Sequence, residues 1–423
     1  MTDPALSSAS GARSAATLIL GATAFAGIAG YLVTWLVFRS AGPAEYAVFA
    51  VFWAAMYLVV GALSGIQQEV ARATRPIEPG SRATPSRVRN FALAAALLVF
   101  AAVTCTAPLW VGEVFPDQGW LLVWPLAVGT ASYVLVAALC GSLYGVSQWR
   151  SLAMMIGADA LLRLGLLGIA LAASGDVLVL AWVVALPFPL AIVLLWPAIR
   201  RGFVGRSDID VTYGPLVWNV VRVSVASTST AVLVSGFPLL LGVVAERVSP
   251  ALVGVLIFTI TLTRAPLIVT VMSLQSFLVV KFRDNRSAGS LMGQVLVAIS
   301  AGAVVLAGAG WLFGPAVLGW VSGETSSLGG EVIAALVGSS SLVAALCVTG
   351  SALLARSEHV LFSIGWLLAA VSTVVVMLLP LDIVTRACVA LAVGPVMGLV
   401  VHGAGLRMRR QDPRRAKATE SPD

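Results

Sequence analysis

The sequence predicts an all-α polytopic membrane protein of about twelve transmembrane helices, arranged as two six-helix lobes with both termini on the cytoplasmic side. Three observations predict it. The 423 residues are 59% hydrophobic and only 11% charged, whereas charged residues make up about a quarter of an ordinary soluble protein. The apolar residues stand in continuous runs, not in alternation, which excludes a transmembrane barrel. The basic residues, finally, gather on one side of those runs.

A spanning helix needs about 20 consecutive apolar residues. Runs of that kind cover 17–38, 47–65, 91–111, 120–145, 151–173, 177–199, 221–244, 251–280, 291–313, 332–354, 360–380 and 384–405. With the N-terminus and every second loop in the cytoplasm, 21 of the 26 Lys and Arg residues fall inside and three (Arg39, Arg247 and Arg386) fall outside. The positive-inside rule then sets the orientation. The net charge of +7 belongs to an inner rim that faces the phospholipid bilayer, and it asks for no nucleic-acid partner. The first run is long for a signal-peptide core and lacks an A-x-A exit, so it reads as an uncleaved span.

The domain division follows from the loops. Residues 1–199 form an N-terminal lobe, 200–220 a cytoplasmic inter-lobe loop, 221–405 a C-terminal lobe and 406–423 a basic tail. The outer loops are turns, and the longest, Gly314–Glu331, leaves no room for an external domain. An internal repeat supports the division. Placing Pro43 on Pro250 aligns two apolar spans that each follow a proline corner, puts Gln68 on Gln275, and sets Tyr57 opposite Arg264. Parallel repeats of this kind place a substrate path between the halves.

Two arginines fall inside spans. Arg264 lies in the eighth, followed by Ala265 and Pro266. An arginine there costs at least about 2.5–3.5 kcal/mol, so it faces the protein interior or a wet cavity. It reads as a substrate contact or as a buried structural ion pair. Arg163 lies in the fifth span, four residues after Asp159 on the same face, a spacing that allows an intrahelical ion pair. That pair is either a structural lock or a switch linked to an ion or substrate. The seventh span is rich in hydroxyls, with Ser227 central and Asn219 and Arg222 ahead of it. Such residues can bond back to their own helix or line a polar path. Gln68 and Glu69, with Gln275, mark where the second and eighth spans leave the membrane.

Signals for enzymatic chemistry are weak, and the chain is expected not to be an enzyme. Asp208-Ile-Asp210 has the form of a D-x-D metal site but sits in a short loop. His359 and His402 are far from each other in sequence, and Cys105, Cys140, Cys347 and Cys388 show no metal-ligand spacing. There is no phosphate-binding G-x-x-x-x-G-K-[ST] loop. No cofactor is implied, and a coupling ion, H⁺ or Na⁺, is left open.

The segment F-R-S-A-G-P-A-E-Y-A-V-F-A-V-F, followed by S-G-I-Q-Q-E-V-A-R, resembles the first two spans of bacterial polysaccharide-biosynthesis flippases of the multidrug/oligosaccharidyl-lipid/polysaccharide (MOP) exporter superfamily. Gly42, Pro43, Glu45, Tyr46 and Arg72 carry it, with Ala47 where glycine is usual. The resemblance implies a plasma-membrane transporter that moves an undecaprenyl-diphosphate-linked oligosaccharide outward by alternating access. It implies a lipid-linked glycan as substrate, with a glycan polymerase or glycosyltransferases as pathway partners. It also puts Arg264 in contact with a diphosphate or acidic sugar. The alternative is a cation-coupled small-molecule or multidrug antiporter of the same superfamily.

Overall fold

The computed structural model is almost wholly helical and describes residues 4–76, 87–203, 207–209, 211–245, 248–284, 288–323 and 328–408. Side chains are described for all of these except 4–16, 201–208, 265–277, 280, 284, 288 and 408. The basic tail beyond 408, residues 77–86, Asp210 and Arg247 therefore lie outside the described residues.

The helices are α1 (Pro4–Ala73), α2 (Arg87–Val114), α3 (Trp120–Gly145), α4 (Trp149–Ala173), α5 (Val177–Ala185), α6 (Pro187–Phe203), α7 (Tyr213–Val234), α8 (Phe237–Val244), α9 (Pro250–Asp284), α10 (Ala288–Ser322), α11 (Gly330–Ala355), α12 (His359–Met377) and α13 (Ile383–Met408). Among the described residues, ten helices are long and apolar enough to cross a membrane. One of them, α1, bends at Gly42 into two spans, and α9 adds a shorter apolar helix over Pro250–Arg264, in line with the expected count of about twelve. Gly42 has φ +84°, a left-handed value that a side chain would disfavour, so the corner depends on glycine.

Breaks within spans also have local causes. Pro187 and Pro189 remove two backbone donors and divide the sixth span into α5 and α6. Gly236 and Pro238 divide the seventh into α7 and α8. Many apolar side chains on α2 and α10, such as Leu97, Leu98, Leu109, Val304 and Val305, are exposed. That is the pattern of helices whose outer faces meet hydrocarbon and not water.

By packing, the chain divides into Met1–Phe258 and Thr259–Asp423. This boundary falls later than the sequence division at 200–220, because α7 lies along α1 and α8 contacts it as well. In the first unit α1 also packs on α3 and α4. In the second, α10 packs on α11, and α13 on both α11 and α12.

The two proline corners of the repeat meet within the first unit. Phe258 stacks on Phe38 with ring centroids 4.1 Å apart, and Tyr46 stands edge-on to both. A Cβ on Gly254 would run into the Pro43 carbonyl oxygen, so the start of α9 sits directly on the α1 corner. The repeat is also visible in two matching turns. Ser147 and Ser357 both have positive φ, 57° and 60°, between α3 and α4 and between α11 and α12. In each turn the following amide, Gln148 or Glu358, donates to a carbonyl five residues back, at 2.8 and 2.9 Å.

The loops after α1 and α6 hold something their polar composition does not announce. Strands β1 (Thr74–Pro76) and β2 (Ser207–Ile209) pair antiparallel, with Arg75 opposite Asp208. Thr74 and Ile209 are buried, and Ile209 packs among Ile66, Val70, Phe91 and Leu216. That apolar anchor is what allows so short a ribbon to form, since an isolated two-stranded pair is marginal in water. Asp208 therefore belongs to a strand that pairs with the end of the second span.

Candidate functional site

The first unit holds a cavity of about 370 Å³ between α1, α3, α4 and α6. Both halves of α1 contribute, through Gly30 on one side of the corner and Trp53 and Tyr57 on the other. Tyr133 comes from α3, Asp159 and Arg163 from α4, and Phe188 from α6. The volume is at the small end of the range, about 300–1,000 Å³, common for sites that take small molecules.

Arg163 and Asp159 form the ion pair that their spacing predicts. Nη2 of Arg163 donates to both carboxylate oxygens at 2.9 Å. Nη1 donates to the Val184 carbonyl at 3.1 Å. That carbonyl lies at the break between α5 and α6, where the two prolines disturb the regular helical bonding, so the arginine takes up a group the helix leaves accessible. Three rings surround the guanidinium. Its Cζ lies 5.5 Å from the Trp53 centroid, 5.6 Å from Tyr57 and 5.3 Å from Phe188. All three distances are within cation–π range, where each contact contributes about 0.5–2 kcal/mol. Trp53 and Tyr57, one turn apart, stack on each other at 4.9 Å.

The two charges differ in access. Arg163 is 3% exposed and Asp159 28%. The carboxylate is therefore the more accessible of the two charges that line the cavity. Sequence reasoning found the pair but not its aromatic surround. The signal was present in the i, i+4 spacing of Trp53 and Tyr57 and in the Pro-Phe-Pro at 187–189.

A second polar group lies where α1 ends. Glu69 is 4% exposed and accepts from Arg72 Nε at 2.8 Å and Nη2 at 2.5 Å, and from Asn219 Nδ2 of α7 at 2.9 Å. Gln68 beside it is exposed, with a long 3.5 Å contact to the Ser64 hydroxyl. Arg222 is exposed on α7, and Ser227 is half-buried there. Its neighbour Thr228 bonds back to the Ser224 carbonyl at 2.8 Å. At the second span's exit, Glu69 joins α1 to α7 through Asn219.

In the second unit Arg264 is buried at 4% exposure on α9. The preceding residue, Thr263, lines a second cavity of about 370 Å³ with Ala298, Gly302, Ser340 and Ser341. The hydroxyls of Thr263 and Ser340 bond to their own helices, so this wall is largely apolar. Gln275 lies on α9, but its side chain is outside the described residues. His402 is buried against Thr349, whose Oγ1 is 2.9 Å from Nδ1, and stacks on Phe362.

No family model matches the chain. Among solved structures, the fold is similar to an inward-facing multidrug resistance MATE family transporter of the MOP superfamily, at TM-score 0.68 and 15% identity, covering 96% of this chain and all of that one. It is also similar to the eukaryotic MATE transporter AtDTX14, at TM-score 0.61 and 12% identity over 93% of this chain and 95% of that one. A MOP superfamily transporter from Pyrococcus furiosus aligns at TM-score 0.59 and 14% identity, over the same shares of the two chains. In sequence, the chain is 34% identical over 418 residues to the uncharacterized protein Rv1510 of Mycobacterium tuberculosis, covering 94% of this chain and 93% of that one. It is 31% identical over 389 residues to the uncharacterized protein Rv3630 of the same organism, covering 90% and 89%. The chain is thus a multi-pass membrane protein with the fold of the MATE transporters of the MOP superfamily, and it belongs to the same family as Rv1510 and Rv3630.

Proposed function

We propose that the protein is a flippase that moves a lipid-linked oligosaccharide, or a related polysaccharide precursor, between leaflets by alternating access. The substrate is carried on a polyprenyl diphosphate, and the direction is outward from the cytoplasmic face of a bacterial plasma membrane. The cavity of α1, α3, α4 and α6 carries this reading. It puts aromatic faces and a partly exposed carboxylate inside a helical body whose outer surface is apolar. A substrate with a polar, ring-bearing head and a hydrocarbon tail matches both environments. The Gly42-Pro43 corner and Arg72 support the same assignment through their resemblance to polysaccharide flippases. On this reading Arg264 meets the diphosphate, because guanidinium donors suit phosphate oxygens. The six-plus-six lobes and cytoplasmic termini belong to the proposal too, as does supply or use of the glycan by glycosyltransferases or a polymerase.

A second reading, a cation-coupled small-molecule antiporter, draws on the multidrug transporters with the same fold. The pairing of Asp159 with Arg163 speaks against it, since the carboxylate already has its counter-charge. Complementation of a deletion strain by Arg264→Ala separates the readings. The variant should reach the membrane at normal abundance yet restore less than a tenth of glycan export. Full restoration would remove Arg264 from the mechanism.

A further inference from the structure

We infer that the cavity of the first unit is a subsite for one uncharged sugar ring and rejects both anions and organic cations; this deepens the flippase reading and rests on it. The paired charges leave little for a charged ligand to bind. Arg163 spends Nη2 on both Asp159 oxygens and Nη1 on the Val184 carbonyl, and its guanidinium is packed among three rings at 3% exposure. It has no open fork with which to take a phosphate or carboxylate in the two-bond geometry that makes arginine an anion binder. An incoming anion would instead meet Asp159, the more exposed member of the pair.

A cation fares no better. The ring faces of Trp53, Tyr57 and Phe188 already hold Arg163 at 5.3–5.6 Å. A second positive charge on the same rings would sit beside the guanidinium, and the one carboxylate is committed to that guanidinium.

A neutral ligand escapes both repulsions. Trp53 and Tyr57 are half-buried and stacked nearly parallel, with 19° between their planes, so together they form an apolar aromatic wall of the cavity. The C–H face of a pyranose is apolar and flat, while its rim is a ring of hydroxyls. Asp159 oxygens retain lone pairs beyond the arginine contact, and Gln67 also lines the cavity. The aromatic wall and these acceptors thus match the two chemistries of a sugar ring. The volume, about 370 Å³, suits one or two rings and not a whole oligosaccharide.

The test uses the full chain in lipid nanodiscs and saturation-transfer NMR with methyl glycosides of neutral hexoses as probes. Tetraphenylphosphonium and hexyl phosphate serve as the charged comparisons. The expected result is transfer to the ring protons of at least one glycoside, reduced about tenfold in Trp53→Leu and largely kept in Trp53→Phe. Circular-dichroism melting of both variants guards against a fold defect, and the Phe/Leu contrast isolates the aromatic face. Neither charged probe should lose binding in Trp53→Leu. Binding of tetraphenylphosphonium that disappears in Asp159→Asn, binding of hexyl phosphate that disappears in Arg163→Met, or no glycoside signal at all would overturn the subsite. The outcomes separate from those of the flippase reading. A deletion strain with a glycan export defect, combined with no glycoside binding, removes the subsite alone. Normal export in that strain, with glycoside binding intact, removes the flippase reading alone.

Discussion

Asp159 and Arg163 stand one turn apart on α4, and a single guanidinium nitrogen holds both carboxylate oxygens at 2.9 Å. The helix can carry these two charges through an apolar layer because each member cancels the other. Removing one member leaves the other unmatched. Asp159→Ala should therefore destabilise the protein by about 3 kcal/mol, the usual loss when a buried ion pair is broken from one side. The double variant Asp159→Ala/Arg163→Met should recover most of that loss, since replacing a whole buried pair with apolar groups is often neutral. Thermal unfolding in detergent micelles measures both. Equal losses for the single and double variants would mean that the pair contributes nothing as a pair.

The join between α1 and α7 is tested through Glu69 and Asn219. Glu69 accepts from Arg72 and Asn219 together, and hydrogen bonds to a charged group contribute about 1.5–3 kcal/mol. Asn219→Ala should raise amide exchange in the first turns of α7, and Glu69→Ala should raise it further. The double variant should match Glu69→Ala alone, because the Asn219 bond is already gone. Additive losses in the exchange experiment would show that the two side chains act independently.

Much of the fold was legible from residue order, and the reasons are physical. Spanning helices must satisfy every backbone group internally, so long apolar runs declare themselves. Arg163 and Asp159 were legible because helix periodicity puts residues four apart on one face. The paired corners at Pro43 and Pro250 were legible in the sequence, whereas the shared positive φ of Ser147 and Ser357 was not. The β1–β2 ribbon was not legible, because three-residue strands have no period, and what fixes them is the burial of Thr74 and Ile209. The aromatic cage was not legible either. Phe188 lies 25 residues from Arg163 in the chain, and only the break at Pro187 brings its helix against α4. Gln68 and Glu69 show the same limit. Which of two adjacent polar residues turns inward depends on the helix packed beside them, here α7.

The corner itself offers a third prediction. Gly254 lies against the Pro43 carbonyl, and Gly42 holds a positive φ. Gly254→Ala forces α9 away from α1 and should cost about 1–3 kcal/mol, as overpacked interiors do. Gly42→Ala strains the backbone and should cost about 1–2 kcal/mol without touching α9. Melting midpoints of the two single variants check this. An unchanged midpoint for Gly254→Ala would show that the corner and α9 are not in contact.

The central claim is that the protein carries a lipid-linked glycan across the membrane. The most direct measurement is to delete the gene and determine which leaflet holds the cell's polyprenyl-diphosphate-linked glycans, using spheroplasts and a membrane-impermeant glycan-modifying reagent. The account predicts that one such glycan accumulates on the cytoplasmic leaflet, protected from the reagent, and that wild-type protein restores its access. Unchanged levels and unchanged leaflet distribution of every lipid-linked glycan would contradict it.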